Sequence, residues 1–430
     1  MLLAHFAASG SAALDLPAWA LAYAVFAVSV IVILISRNRH VPRPRPRPEA
    51  DPKGDADAEP AAATSPGRTG RVVRIGRVVM AVLFWVFVGF CWFGPAVLTQ
   101  NIATLALIGM LWSLGGWVAL AFGWVWEAVD PFIVFTREPD DADPGRIPMP
   151  WWAPVPVFAS YVLIWIAWIA GDEPRHLAFW LTSYGVAMIF VARRGGVAAI
   201  RAWNPLPTAL DLTAAITRPG KARARLADRG RRRTVGLIAT MLLGALGANQ
   251  AATTNWFITN VGFDGGLDET IWVMAIFAAL SAAFFGVWRG CEQLVERARR
   301  EPGTRPLAAV PGPIAGSVLL AQATTIGLTQ TQNILVLISD PFAQGWNLFG
   351  TVYWQVSAQP LSPFTHGIVV VAAIVAGHLS ALMMIGHAAT DRAADGTTSA
   401  VARNRAWTAA SGAMGLTVVS GVVWTLVLLR

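Results

Sequence analysis

The chain has 430 residues, of which 55% are hydrophobic and only 13% charged, with a mean hydropathy of +0.53. A soluble domain carries roughly 25% charged residues, so this composition excludes an ordinary water-soluble globular protein. The net charge of +8 does not argue for a nucleic-acid partner, because the arginines gather in a few loops between apolar segments, as expected of cytoplasmic loops in a membrane protein.

Taken in chain order, residues 1–36 hold a short outer segment, MLLAHFAASGSAALD, and a first apolar run that reads as a signal anchor. Residues 37–76 form a Pro-, Ala- and Arg-rich stretch without apolar periodicity, which reads as a disordered cytoplasmic linker. Residues 77–430 hold the remaining spans. A membrane-crossing helix needs about 20 apolar residues. Stretches of that kind fall at 16–36, 78–98, 104–125, 153–170, 177–192, 235–255, 271–288, 307–328, 367–388 and 407–428, of which 177–192 is the weakest. The predicted fold is therefore all-α, a polytopic transmembrane helical bundle of about ten spans.

Orientation follows from the loops. Arginines crowd 37–47, 193–233, 289–305 and 390–406, whereas 99–103, 256–270 and 329–366 contain no Lys or Arg. That alternation places both termini on the outer side. Cys91 and Cys291 form no CxxC motif and no disulfide framework.

Short corners recur. WEAVDPF (126–132), AWNPLPTAL (202–210), SDPFAQ (339–344) and GWNLFGT (345–351) each pair an aromatic or polar residue with an Asx-type turn. Glu127 and Asp130 stand one helical turn apart and could share a face as an acid/base or metal pair, but near a span end they read as a solvated corner. The long outer segment 329–366 carries Asp340 as its sole charge. Its part 334–345 reads as a short or re-entrant helix ended by Asp340-Pro341. Trp346, Phe349, Tyr353 and Trp354 follow, as an aromatic belt or as a pocket for an apolar, aromatic substrate.

Three of the six histidines, His366, His378 and His387, lie in 365–392. On one helix His378 and His387 are half a turn and about 13 Å apart, and His366 stands about 18 Å from His378. They do not make a ligand triad. His378 falls near mid-membrane, where an ionisable group is a functional-site candidate, or a neutral imidazole bonded to a neighbouring helix. No HxH, HExxH, GxSxG or Walker A pattern occurs, and Ser357 and Ser362 have no evident base partner, so the sequence does not support covalent nucleophilic catalysis.

The order of LAHFAASGSAALDLPAWALAYA, WEAVDPF, WNPLPTAL, DPFAQGWNLFGT and AGHLSALMMIGHAATDRA resembles the bacterial membrane-bound fenitrothion hydrolase family. Gly377-His378 and Ala4-His5 match its pattern, while Asp391-Arg392 stands three residues further from His387 than in that pattern. The resemblance implies an inner-membrane hydrolase of organothiophosphate triesters that releases a nitrophenol, acting with a small partner protein. Such hydrolysis needs an activated water and charge stabilisation, which a divalent metal (Zn, Mn or Co) supplies. The expected catalytic residues are His378 and Asp340, the expected metal ligands His366 and His378, and the expected substrate-binding residues Trp346, Phe349, Tyr353 and Trp354. The rival expectation is a multi-pass transporter or metal-handling permease that uses the buried histidine.

Overall fold

The computed structural model describes residues 67–136, 150–164, 174–225, 229–262, 267–299, 310–390 and most of 412–427. The first span with Ala4-His5, linker residues 37–66, Asp391-Arg392 and the side chain of His387 lie outside the described residues, while residues 67–76 form the start of the helix Gly67–Phe93.

All regular structure among the described residues is helical. In chain order the main helices are α1 (Gly67–Phe93), α2 (Ile102–Phe122), α3 (Pro154–Val162), α4 (Pro174–Trp203), α5 (Pro205–Asp211), α6 (Arg229–Ala252), α7 (Leu267–Arg299), α8 (Pro311–Leu337), α9 (Pro363–Thr390) and α10 (Gly412–Gly421). Six described helices are long and apolar enough to cross a membrane: Gly70–Phe93, Ile102–Phe122, Pro174–Asp211, Arg231–Ala252, Asp268–Leu294 and Pro363–Ile385. α10 is a shorter apolar helix. A helical bundle of membrane-crossing character is thus what the chain forms.

Two elements differ from the expectation. The stretch 334–345 is not a separate helix, because α8 runs unbroken through TQTQN to Leu337. Its polar side chains satisfy themselves on their own helix: Thr331 Oγ1 donates to Gly327 O at 2.7 Å and Gln332 Nε2 to Leu328 O at 3.3 Å. With no breaker before Asp340-Pro341, nothing stops the helix earlier. The weak span 177–192 is the middle of the 30-residue α4, which continues past a bend at Gly196, where φ is +64°. A left-handed φ there is open to glycine at little cost.

α8 is the central post, packed against α9, α2 and α6, while α6 also carries α7. α1 packs on α4 and on the turn Pro131–Phe135. α6 is mostly buried, whereas α1 and α7 expose most of their apolar surface, as helices facing lipid do. Without a hydrophobic drive between helices in lipid, close approach of small residues carries the packing. Gly377 of α9 lies on Ser317 of α8, Gly327 of α8 on Ser113 of α2, and Gly244 of α6 on Ser281 of α7. In each case an added Cβ would overlap the partner serine.

At Gly377 the overlap also includes the backbone oxygen of Pro313, which cannot move aside. Gly377→Val should therefore destabilise the α8–α9 contact by about 1–3 kcal/mol. A lower midpoint of thermal unfolding in detergent checks this, and an unchanged midpoint would deny the close contact.

Candidate functional site

The corners at 126–132 and 202–210 meet in space. Asp130 accepts from Phe132 N at 2.9 Å and so caps the turn Pro131–Phe135. Asn204 caps α5 in the same manner, with Pro205 at the first helical position. The capping residues then bind each other: Asn204 Nδ2 donates to Asp130 Oδ2 at 2.9 Å, and Tyr184 OH donates to Asn204 Oδ1 at 2.6 Å. Asp211, at the end of α5, accepts from the backbone amides of Trp126 (3.0 Å) and Glu127 (2.7 Å). Glu127 accepts from Thr208 Oγ1 at 3.3 Å, from Arg225 at 2.6 Å and from Arg231. Arg225 also lies over the Trp124 ring at 4.9 Å, and Arg77 of α1 donates to Ala128 O at 2.9 Å.

Glu127, Asp130 and Asp211 are 7%, 4% and 1% exposed, so the expectation of a solvated corner is corrected. The reason is pairing. Each carboxylate gains donors from a different segment, which makes burial tolerable. The remaining space among these groups is about 30 Å³, too small for an organic substrate. This corner is built to hold helices together.

A second arrangement is roomier. α6, α7, α8 and α10 enclose a cavity of about 530 Å³ with almost wholly apolar walls, among them Leu280, Phe284, Trp288, Ile314 and Trp424. Phe284 and Trp424 stack across it at 6.4 Å and 20°, tying α7 to α10. Its rim residues Val287, Leu416, Val419 and Val423 are exposed, so it opens sideways between α7 and α10. Ser420 of α10 is one of its few polar wall groups.

Ser420 is also the partner of His378. The His378 side chain is fully buried; its Nδ1 lies 2.8 Å from Ile374 O and its Nε2 3.3 Å from Ser420 Oγ. A carbonyl oxygen only accepts, so Nδ1 carries the proton and Nε2 is the acceptor. The Ser420 hydroxyl therefore donates to the imidazole. That is both a link between α9 and α10 and the arrangement of a hydroxyl beside a base.

The other expected residues lie elsewhere. Asp340 follows α8 and accepts from Gln344 N at 2.8 Å and Gly345 N at 2.7 Å, closing a tight loop. Ser339 and Thr351 fold that loop back over the end of α8, bonded to each other at 2.6 Å. Trp346, Phe349, Tyr353 and Trp354 are all exposed. Trp346 packs edge-on against Phe342, which in turn meets Phe90 of α1 at 5.4 Å. His366 starts α9 and bonds Thr325 of α8 through Nδ1 at 2.7 Å. None of these residues lines the 530 Å³ cavity.

The donors expected for a divalent metal do not fit a single ion. His366 and His378 stand about 18 Å apart along α9. Both ring nitrogens of His378 and both oxygens of Asp340 are engaged within the protein. No group of three or more His, Cys, Asp or Glu side chains converges among the described residues. Ser420, which sequence reasoning missed, sits 42 residues from His378, and no local pattern announces the pair.

Burial pushes the Asp130 carboxyl up to about 6, against the lowering effect of its bonds from Phe132 N and Asn204. A raised pKa means that the folded state holds the proton more tightly than the unfolded chain does. The corresponding stability is present below about pH 4 and is lost as pH rises through 6. Relative to Asp130→Ala, the wild-type chain should lose about 3 kcal/mol of its advantage between pH 4 and 7. Thermal unfolding of both proteins across that range measures it, and a pH-independent difference would contradict the assignment.

No protein-family model, no curated protein and no solved structure matches this chain, so its functional reading rests on the geometry above and on the order of its sequence motifs.

Proposed function

We propose that the chain is an integral membrane hydrolase of organothiophosphate triesters, cleaving an aryl ester of the fenitrothion kind to release a nitrophenol. The observation that carries this reading is Ser420, a wall residue of an apolar cavity of about 530 Å³, hydrogen-bonded to the buried His378 behind it. A cavity of that size and character suits a small aromatic ester that partitions from the bilayer. About ten spans, outer termini and a bacterial inner membrane complete the proposal.

The chemistry follows from the tautomer. Ser420 Oγ attacks the phosphorus while its proton passes to His378 Nε2. The bond from phosphorus to the aryl oxygen breaks, and the nitrophenolate leaves with the electron pair, taking the proton from Nε2 as it departs. A water then attacks the phosphoryl-serine, gives its proton to the same nitrogen, and Ser420 Oγ recovers that proton as its bond to phosphorus breaks. Ile374 O holds the Nδ1 proton throughout and keeps the ring oriented. Trp346, Phe349, Tyr353 and Trp354, with Asp340 and His366, lie outside this cavity and take no part in the step. A small partner protein fits the resemblance, so the assay includes it as one arm.

A transporter is the second reading. It is favoured by the run of hydroxyl and amide side chains on the outer half of α8, including Thr325, Thr329, Gln332 and Asn333, and by the Gln322–Gln250 pair at 3.3 Å.

Membranes containing the chain, with and without its partner, are to be given fenitrothion and followed by nitrophenol absorbance. Release is expected, and Ser420→Ala or His378→Ala should each lower kcat at least ~10²-fold. No release from wild-type membranes under either condition sinks the hydrolase reading. An equal loss from Asp340→Asn with Ser420→Ala near normal would move the chemistry to the outer loop. Saturable uptake into vesicles without hydrolysis would favour the transporter.

A further inference from the structure

The few polar groups on the walls of the 530 Å³ cavity are not alike. The hydroxyls of Thr240, Thr254 and Thr417 donate to carbonyl oxygens three or four residues earlier in the chain, at 2.9, 2.7 and 2.9 Å, and Ser420 donates to His378. A hydroxyl carries one proton, so none of these four has a donor left for a ligand. Two other wall donors have no partner among the described residues: the side-chain NH2 of Gln250 and the indole N–H of Trp424.

Each of the two is held by a neighbour. Gln322 Nε2 of α8 donates to Gln250 Oε1 at 3.3 Å, which takes up the oxygen of that amide and leaves its nitrogen. In this sense the pair buries Gln322 Oε1 without a partner. The reverse sense would bury an unpaired NH2 instead, and an unmet carbonyl oxygen is the cheaper of the two. The Trp424 ring is stacked by Phe284 and reaches within 3.8 Å of where a Cβ on Gly247 would stand. Gln250 follows Gly247 by three residues, on the same face of α6, so both donors belong to one end of the cavity. Ser420 is one turn before Trp424 on α10. Gly377, next to His378, sits on Ser317, and Gln322 is five residues further along α8, roughly 8 Å from that level. One aromatic ring and its far substituent span such a distance.

We infer that Gln250 and Trp424 determine the specificity of this cavity, giving their N–H groups to a hydrogen-bond acceptor on the far edge of the aryl group. The two oxygens of a nitro substituent match two donors. The inference rests on the reading that the cavity holds an aryl ester attacked at Ser420, and it narrows that substrate class to rings that carry an acceptor opposite the ester. An alkyl group of the same shape would displace solvent from both donors and pair with neither, which is how a polar group in an apolar pocket rejects a ligand.

Full-length protein in detergent is to be titrated by calorimetry with 4-nitroanisole and with 4-isopropylanisole, two rings of similar shape that hold no ester to hydrolyse. Affinities are corrected for the partition of each ligand into empty micelles. The wild-type chain should prefer the nitro ligand by at least about fivefold, the worth of one hydrogen bond. Gln250→Leu and Trp424→Phe should each cut that preference about fivefold, the second variant keeping a ring to stack on Phe284. The control Thr417→Val, which removes a wall hydroxyl whose proton is already spent, should keep it. Equal corrected affinities in the wild type overturn the inference even if a variant fails to fold, and so does an equal loss in the control. Nitrophenol release from membranes without a nitro preference in binding refutes this inference and leaves the hydrolase reading standing. A nitro preference lost in both variants, with no release, does the reverse.

Discussion

Three carboxylates, Glu127, Asp130 and Asp211, are buried where several helix ends meet, and an unpaired charge there would cost several kcal/mol. The bundle meets that cost by drawing donors from separate parts of the chain. Asn204 and the amides of 126 and 127 come from the two corners, Thr208 from α5, Arg225 from the short helix Pro219–Arg225 and Arg231 from the first turn of α6. Removing any donor leaves a buried polar group short of a partner, so this end of the bundle is held by polar complementarity and the helix contacts elsewhere by shape.

Elsewhere in the bundle the rule is proximity of small residues. Gly377 on Ser317 and Gly327 on Ser113 bring α9 and α2 against α8, and Gly244 on Ser281 brings α7 against α6. α7 and α10 are held less intimately. They meet through the Phe284–Trp424 stack and leave the 530 Å³ cavity between them. Tight packing around α8 and loose packing around α10 are thus two sides of one arrangement, and the cavity lies where glycine and serine contacts give way to large aromatic rings. His378 stands at that border, on a tightly packed helix but facing the loosely packed one.

Much of this was legible beforehand, and the failures have physical causes. The apolar runs marked the helices because length and hydropathy are local properties. The Asp-Pro and Asn-Pro corners were recognisable as turns, yet nothing local shows that Asp130 and Asn204, 74 residues apart, would bind each other. Glu127 and Asp130 read as solvated because a sequence does not display the donors that make burial tolerable. Asp340 drew attention as the lone charge of a long outer segment, and in the fold its two oxygens are spent on the amides of 344 and 345. Ser420 drew none, since a serine in an apolar helix has no distinguishing neighbour in the chain.

By itself the sequence determined that this is a helical membrane protein, roughly where its helices run, and that a shared metal among His366, His378 and His387 is ruled out by helical rise. These follow from periodicity and composition, which act over one or two turns of helix. Tertiary structure alone decided that the corners at 126–132 and 202–210 form one buried polar cluster, that His378 faces Ser420, and that an apolar cavity opens between α7 and α10. Those facts depend on which helix faces which, and that is settled by side chains tens of residues apart finding hydrogen-bond partners and room for one another.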